Sequence, residues 1–287
     1  MKWLFNLLSG YPITALVVAC LIVLYIVLSP RVSPGLYAKK LFRTKDHLGD
    51  SARLKAYATY VNRRVSFKAK DGNIMRGWYF ENKVSPYVYL VHQGNSGDIA
   101  RHMDIIELLL ESGGSVFIYE PRGFGKSGGK PTIDHWLEDG VSAYDFMVDS
   151  LNYTAEQIVL FGISLGTTAA THLSTQRKSA GIVLQSGFAS LQKIAKSEVP
   201  FLRIYPSFLF GTKLDNMKVV SRKGHPIILF VHGLKDDFIP TSHTREMYFA
   251  ATEPKSVLYL PFSNHTEVFP TDRKTYLDAL RLFLEAL

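Results

Sequence analysis

Short apolar runs alternate with longer amphipathic stretches over most of the chain after residue 60. Nearly every position in these runs is apolar, which is typical of strands that are buried on both faces of a parallel sheet. The runs cover residues 87–91, 115–119, 157–161, 181–185, 226–231 and 257–260. Helix-like stretches lie between and after them, at 98–112, 133–151, 164–176, 242–251 and 273–287. This alternation predicts an α/β fold with a mostly parallel sheet and helices on both faces.

Two segments depart from the alternation. The runs at 65–70 and 75–80 flank an Asp71-Gly72 pair, and this predicts an antiparallel hairpin ahead of the parallel strands. Further on, the interval at about 190–225 is a long excursion at the carboxyl edge of the sheet, and such excursions are usually functional. A small cap and an ordinary pair of surface helices both fit this interval, and the sequence leaves the choice open.

The first thirty residues have a different character. No charged residue lies between Trp3 and Pro30, and residues 13–28 are almost wholly apolar. About 20 apolar residues suffice to cross the hydrocarbon as a helix, so residues 1–30 are predicted to form an uncleaved signal anchor, a single transmembrane helix. A cleaved signal peptide fits poorly because residues 27–31 offer no small-residue cut site. A lipoprotein signal at Cys20 is disfavoured because the residues after it stay apolar.

The formal charge of +8 is concentrated after this apolar segment. The basic residues there are Arg31, Lys39, Lys40, Arg43 and Lys45. They predict a basic juxtamembrane linker at 31–60, ahead of a domain at 61–287. The positive-inside rule then favours a cytoplasmic domain, although a basic run would also lie against an anionic bilayer on either side. Aromatic and basic residues do not interleave as in a nucleic-acid interface, so no nucleic-acid partner is expected.

The clearest chemical signal is Gly162-Ile163-Ser164-Leu165-Gly166. The motif Gly-x-Ser-x-Gly follows an apolar strand here and opens a helix, which is the context that it needs. Bulky residues at the two glycine positions would collide with neighbouring elements, and the strained turn lifts the hydroxyl above the sheet. Ser164 is therefore the predicted nucleophile.

A serine hydroxyl needs a base, and the base needs an orienting carboxylate. With this motif the chain order is Ser, then Asp or Glu, then His. Asp236 and Asp237 follow the strand at 226–231, and Asp236 is preferred because the pattern His-Gly-x-x-Asp-x-x-Ile-Pro places it at the loop tip. Asp237 remains the alternative. His265, just past the strand at 257–260, is the predicted base.

The oxyanion hole requires two backbone N–H groups that face the developing charge. One is expected from Leu165, the residue after the nucleophile, and the other from the loop after the third strand. In that loop Gly94 would let the backbone approach closely. The N–H of Asn95 is the candidate donor, with that of Gln93 as the alternative.

A second glycine-rich stretch does not fit a nucleotide site. Residues 123–128 spell Gly-x-Gly-x-x-Gly, but the next helix is predicted to begin only near residue 133, too late to place its amino end on a pyrophosphate. Glu120 also stands where a P-loop needs its first glycine. No two histidines have convincing metal-ligand spacing, and His232 is expected to pack under the aspartate loop. We therefore expect no cofactor, no metal and no nucleotide.

These motifs together resemble a known family. The likeness is carried by residues 93–97, 119–128, 162–166, 214–216 and 232–240. They are similar to the membrane-anchored α/β-hydrolase domain serine hydrolases (ABHD types 12, 13 and 17) and their bacterial relatives, over roughly 60–287. The resemblance implies an α/β-hydrolase catalytic domain at 61–287 that acts on esters or thioesters, often of lipids or acylated proteins. Gln93 and Glu120 depart from the usual His and Asp of these relatives.

The sequence therefore predicts a membrane-anchored serine hydrolase, with the lipid bilayer and an acyl-ester or acyl-lipid substrate as its partners. It would cleave a carboxylic ester or thioester through an acyl-enzyme on Ser164. Two alternatives remain, a serine peptidase and a catalytically silent scaffold. A silent copy would have no reason to keep Ser164, Asp236 and His265 together, and a fold alone does not fix function.

Overall fold

A computed structural model describes residues 12–44, 61–265, 267–268 and 270–287 of the chain. Its strands form one eight-stranded sheet in the order β1-β2-β4-β3-β5-β6-β7-β8. The strands are β1 Val61–Lys68, β2 Ile74–Glu81, β3 Val88–His92, β4 Ser115–Glu120, β5 Ile158–Ile163, β6 Gly181–Gln185, β7 Ile227–Gly233 and β8 Lys255–Leu260. Each lies within a few residues of its predicted position.

The α-helices connect and cover these strands. They are α1 Pro12–Val27, α2 Gly35–Leu41, α3 Met103–Glu111, α4 Ile133–Leu151, α5 Gly166–Ser174, α6 Leu191–Glu198, α7 Asn216–Val220, α8 Ser242–Ala250 and α9 Pro270–Glu285. Short 3₁₀ turns occupy Ile99–His102, Ala155–Gln157, Pro200–Ile204 and Ser207–Leu209. The predicted helix at 98–112 is thus a 3₁₀ turn followed by α3, and the interval 190–225 contains α6, two 3₁₀ turns and α7.

The sheet is parallel from β3 to β8, and β2 runs antiparallel to β1 and β4. The predicted hairpin at its start is confirmed. Its turn is held by the Asp71 carboxylate, which accepts a hydrogen bond from the Asn73 N–H over 3.1 Å. Because the parallel strands share one direction, the loops that follow β3, β5, β7 and β8 all open at the same edge of the sheet.

The core lies on both faces of the sheet, as the continuous apolar runs predict. Successive side chains of a strand point to opposite faces. Val159 and Phe161 of β5 therefore belong to a core that includes α3 and α9. Ile158 and Leu160 belong to a second core that includes α4, α5 and α8. In this three-layer arrangement β5 is packed on both faces, and the loop that follows it starts from the buried centre of the sheet.

The predicted transmembrane helix is wrong for the described part of residues 1–30. Helix α1, Pro12–Val27, has 16 residues, which is about 24 Å at 1.5 Å per residue. A bilayer core is about 30 Å thick. Within residues 12–44, 61–265, 267–268 and 270–287, no helix is long and apolar enough to cross a membrane. The finding overturns the predicted single-pass membrane localisation and, with it, the inferred cytoplasmic side. Residues 1–11 lie outside the described residues.

The end of α1 and the segment after it pack against the interval 190–225. The Tyr25 hydroxyl donates to the Ile204 carbonyl oxygen over 2.6 Å, and the Tyr25 ring stacks on Tyr205 with the centroids 4.8 Å apart. The Arg31 N–H donates to the Leu209 carbonyl over 2.9 Å. Much of the predicted linker at 31–60 falls on residues 45–60, outside the described residues, but its beginning carries helix α2 and contacts the domain.

Candidate active site

Ser164 occupies the sharp turn between β5 and α5. Its φ of +53° is unusual for a residue other than glycine, and its N–H donates to the Gln185 carbonyl over 2.9 Å. A Cβ atom at Gly166 would lie 2.0 Å from the carbonyl oxygen of His92, and one at Gly162 would lie 2.6 Å from the Thr167 Cα. The tight packing of β5, α5 and the end of β3 thus explains both glycines of the motif.

The structure brings Ser164, His265 and Asp236 into one hydrogen-bonded chain. The Ser164 hydroxyl donates to His265 Nε2 over 2.9 Å, and His265 Nδ1–H donates to Asp236 Oδ2 over 2.7 Å. The three residues come from the loops after β5, β8 and β7. The carboxylate in contact with His265 is that of Asp236, while Asp237 is exposed and lines the cavity in front of Ser164.

The Asp236 carboxylate is held in its ionised form. Its side chain is fully buried, and burial raises the pKa of a carboxyl group. Hydrogen bonds from His232, His265 and the Ile239 N–H outweigh this effect and set the pKa of Asp236 well below its usual value. The N–H groups of Phe238 and Ile239 donate to Oδ1 over 3.0 and 2.7 Å. A permanent negative charge therefore lies beside His265 Nδ1, where it can stabilise an imidazolium.

His232 contributes to this site more directly than the sequence indicated. Its ring is fully buried, and Nε2 lies 3.0 Å from Asp236 Oδ2 and 2.9 Å from the Ile239 carbonyl oxygen. The Thr244 hydroxyl donates to Nδ1 over 2.7 Å, which leaves the proton on Nε2. His232 is therefore packed under the aspartate loop, as predicted, and also touches the carboxylate. In the sequence, the signal for this contact was the i, i+4 spacing of His232 and Asp236 in the His-Gly-x-x-Asp pattern.

The loop after β3 runs alongside the nucleophile. A Cβ at Gly94 would lie 3.6 Å from the Ser164 Cβ, which is an ordinary contact, so the predicted need for glycine at this position is weaker than at Gly166. The Asn95 carbonyl accepts a hydrogen bond from the Arg43 N–H over 2.8 Å. For the backbone N–H groups of Leu165 and Asn95, no hydrogen-bond acceptor is found in the described part of the chain. Their role as oxyanion donors remains a prediction.

A cavity of about 250 Å³ opens in front of Ser164 and His265. Most of its lining residues are polar or charged, with Ile163 and Phe238 as apolar members. The polar ones beside Ser164 and His265 are Arg43, Asn95, Ser96, Arg101, His102, Asp237, Asn264 and Glu267. Burial, with a smaller contribution from the nearby Arg101 charge, lowers the pKa of His102 to about 4, so this histidine is neutral at pH 7. None of the residues at 190–225 belongs to this wall, whereas Arg43, from the predicted linker, does.

The glycine-rich stretch at 123–128 forms a self-contained connection. A Cβ at Gly125, where φ is +48°, would collide with the Glu120 carboxylate, and that carboxylate accepts the Lys126 N–H over 2.7 Å. Arg122 forms ion pairs with Asp139 and Asp71. In the described residues, no group of histidine, cysteine and acidic side chains could hold a metal ion.

Comparison with known proteins shows the family of the chain. Residues 82–226, about half of the chain, match the family described as "Serine aminopeptidase, S33". The chain belongs to this family of α/β hydrolases. Uncharacterized protein YfhR of Escherichia coli O157:H7 is 30% identical over 213 residues, covering 71% of this chain and 74% of its own. The "uncharacterized membrane protein" YNL320W of Saccharomyces cerevisiae is 26% identical over 225 residues, covering 77% and 78%.

Solved structures agree on the fold. The Pyrococcus furiosus esterase Pf2001 is similar with a TM-score of 0.69 at 19% identity, covering 84% of this chain and 96% of its own. At this identity the likeness extends to the fold alone. The predicted α/β-hydrolase fold, with its mostly parallel sheet and flanking helices, is thus confirmed, while the narrower resemblance to the ABHD types stays a prediction.

Proposed function

We propose that this hydrolase cleaves carboxylic esters or thioesters through a Ser164-His265-Asp236 triad and a covalent acyl-enzyme. The observation that carries the proposal is the continuous hydrogen-bonded chain from the Ser164 hydroxyl through both nitrogens of His265 to a buried, ionised Asp236. Nucleophilic catalysis by serine needs this relation of nucleophile, base and orienting carboxylate.

In the proposed reaction, Ser164 Oγ attacks the acyl carbon while its proton passes to His265 Nε2. The carbonyl oxygen becomes an oxyanion, which the N–H groups of Leu165 and Asn95 stabilise. The bond to the leaving oxygen or sulfur then breaks, and the leaving group takes the proton from His265 Nε2. Water repeats the sequence on the acyl-enzyme and releases the free acid. Asp236 stays ionised throughout and stabilises the imidazolium.

The decisive test is labelling of the full-length protein with a fluorophosphonate, together with hydrolysis of p-nitrophenyl acetate. Ser164→Ala should abolish both, and Ser96→Ala, which alters another serine of the same cavity, should retain labelling. Asp236→Asn should lower kcat by about 10⁴, as expected when the base loses its orienting carboxylate, while Asp237→Asn should stay within tenfold of wild type. A folded wild-type protein that neither labels nor hydrolyses would leave the catalytically silent scaffold as the better reading.

Amide hydrolysis at an amino terminus is a second candidate. The exposed Asp237 and the Glu267 carboxylate both belong to the cavity wall, and two carboxylates in a small cavity could bind the ammonium group of a peptide. The family description, "Serine aminopeptidase, S33", also favours cleavage at an amino terminus. Aminoacyl p-nitroanilides distinguish the two functions, since an esterase should hydrolyse them at least a thousandfold more slowly than p-nitrophenyl acetate. Comparable rates would favour the peptidase.

Acyl lipids are the substrates that the sequence favours within this proposal. The support for them is an apolar cluster that includes Leu165, the residue next to the nucleophile.

A further inference from the structure

The apolar cluster beside the nucleophile is built from the loops and helices at the carboxyl edge of the sheet. It includes Leu165, Phe188 and Ile239, which follow β5, β6 and β7, together with Phe124 and Trp136. Ile194 and Leu214, from the interval 190–225, belong to it as well. The cluster therefore contacts both the predicted oxyanion residue and the loop that carries Asp236.

One member of this cluster comes from outside the α/β domain. The Phe42 side chain, which follows helix α2, is only 6% exposed, and its ring centroid lies 5.7 Å from that of Trp136. Helix α2 has no fully buried residue of its own. Its partly buried residues divide between two clusters, since Ala38 and Leu41 pack against this one and Tyr37 packs against the cluster around Leu202 and Tyr205. Phe42 is thus the one fully buried apolar side chain that residues 33–44 place inside the domain.

The same segment is fastened to the loop that faces Ser164. The Arg43 N–H donates to the Asn95 carbonyl over 2.8 Å, and Arg43 and Ser96 form a parallel β-bridge. Arg43 also belongs to the wall of the cavity that contains Ser164 and His265. Phe42 directly precedes Arg43 in the sequence, and adjacent Cα atoms are about 3.8 Å apart. The aromatic residue of the cluster is therefore next to a residue of the catalytic cavity wall.

The two sides of Ser164 therefore differ in chemistry. The open cavity of about 250 Å³ is walled mainly by polar and charged side chains, which suit the leaving group of an ester. The other side is apolar, and its buried cluster includes Leu165, Ile239 and Phe42. A hydrocarbon chain gains free energy from burial in the same way as a phenyl ring does, so an acyl chain and Phe42 would compete for one place.

We propose that the space filled by Phe42 is the acyl-binding subsite of this hydrolase, and that it takes a linear aliphatic acyl chain when the 33–44 segment moves away. The proposal rests on the function proposed above and names the substrate class of that same site. Short acyl groups react without displacing Phe42, whereas medium and long acyl chains must displace it.

The test is the acyl-chain profile of the full-length protein with p-nitrophenyl acetate, butyrate and octanoate. In Phe42→Ala the ratio of kcat/KM for octanoate to that for acetate should rise at least tenfold over wild type, since one methylene in an apolar pocket is worth about tenfold or more. Phe283→Ala removes a phenyl ring of similar burial at the opposite edge of the sheet and should leave the ratio unchanged. An unchanged ratio in a folded Phe42→Ala protein that still hydrolyses acetate overturns the subsite alone.

A second measurement detects the displacement in the wild-type protein. Lys39 and Lys40 are exposed on helix α2, and trypsin cleaves after lysine fastest where a helix is undocked. Phosphonylation of Ser164 with an octyl phosphonate should speed cleavage there about tenfold, and a methyl phosphonate should not. Equal cleavage rates with both reagents contradict the proposal. Failure of both reagents to react with Ser164 would refute the proposed function itself, and the subsite with it.

Discussion

Gly166→Ala tests how closely α5 must approach β3 for the site to work. A Cβ at this position would lie 2.0 Å from the His92 carbonyl oxygen and 2.5 Å from that of Gln93. Both atoms belong to the backbone, so no side chain can swing aside. Ordinary van der Waals contact begins near 3.4 Å, and the end of β3 must therefore retreat from α5 by about 1.4 Å.

That retreat would widen the site between its two predicted oxyanion donors. Leu165 precedes Gly166 at the start of α5, and Asn95 follows the displaced carbonyls of His92 and Gln93. A misplacement of about 1 Å can cost 10²-fold in rate, so we expect kcat/KM for p-nitrophenyl acetate to fall at least a hundredfold. Overpacking should also lower the free energy of unfolding by about 1–3 kcal/mol, measured by urea denaturation.

Gly94→Ala is the matched control for stability, because its added Cβ would meet nothing closer than 3.6 Å. Its free energy of unfolding should stay within about 0.5 kcal/mol of wild type. The fluorophosphonate reaction rate of Gly166→Ala, measured below its melting temperature, separates loss of chemistry from loss of folding. Wild-type stability and labelling in Gly166→Ala would refute the crowding argument.

Two further predictions concern buried histidines. His232→Leu removes the Nε2–H that touches Asp236, and since a charge-assisted hydrogen bond is worth about 1.5–3 kcal/mol, kcat/KM should fall tenfold or more. His232→Gln, which retains an N–H donor, should recover part of this loss; equal losses would contradict a positioning role. Burial lowers the pKa of His92 to about 3, so below pH about 6.5 the unfolded chain binds a proton that the folded chain excludes, and stability falls with pH. Between pH 6.5 and 5 this should remove about 1.5 kcal/mol, and His92→Gln should show a correspondingly shallower decline in urea titrations; identical slopes would contradict it.

The strands and the Gly-x-Ser-x-Gly turn could be predicted because both follow from local rules. A strand that is buried on both faces is almost wholly apolar, as β5 is and as β6 is up to its last residue, Gln185. The turn at Ser164 needs glycines because two backbones meet there, and that requirement is visible in the motif. The choice of Asp236 over Asp237 was also accessible, since the loop tip selects one carboxylate. Its contact with His232 had only the i, i+4 spacing as a signal and needed the structure, because the return of a loop onto its own strand depends on three-dimensional packing.

The amino-terminal prediction failed because hydropathy reports composition and not where a helix ends. Residues 4–29 lack charge, yet α1 ends at Val27. Pro30, close behind, cannot continue a helix and restrains the residue before it. A hydropathy window counts the apolar residues after the last helical residue as if they belonged to the helix, and so overestimates the length of the helix.

The docking of Phe42 is beyond sequence patterns for a different reason. Helix α2 has seven residues and no fully buried side chain, so it lacks the periodic apolar face that identifies a packed helix. A single aromatic residue after a short helix has no characteristic spacing, and its partner Trp136 lies in a distant part of the chain. Contacts of this kind are decided by which apolar space the folded domain leaves open. In this hydrolase that space belongs to the apolar cluster that includes Leu165, the residue after the nucleophile, which is why the proposed competition between Phe42 and an acyl chain needed the structure.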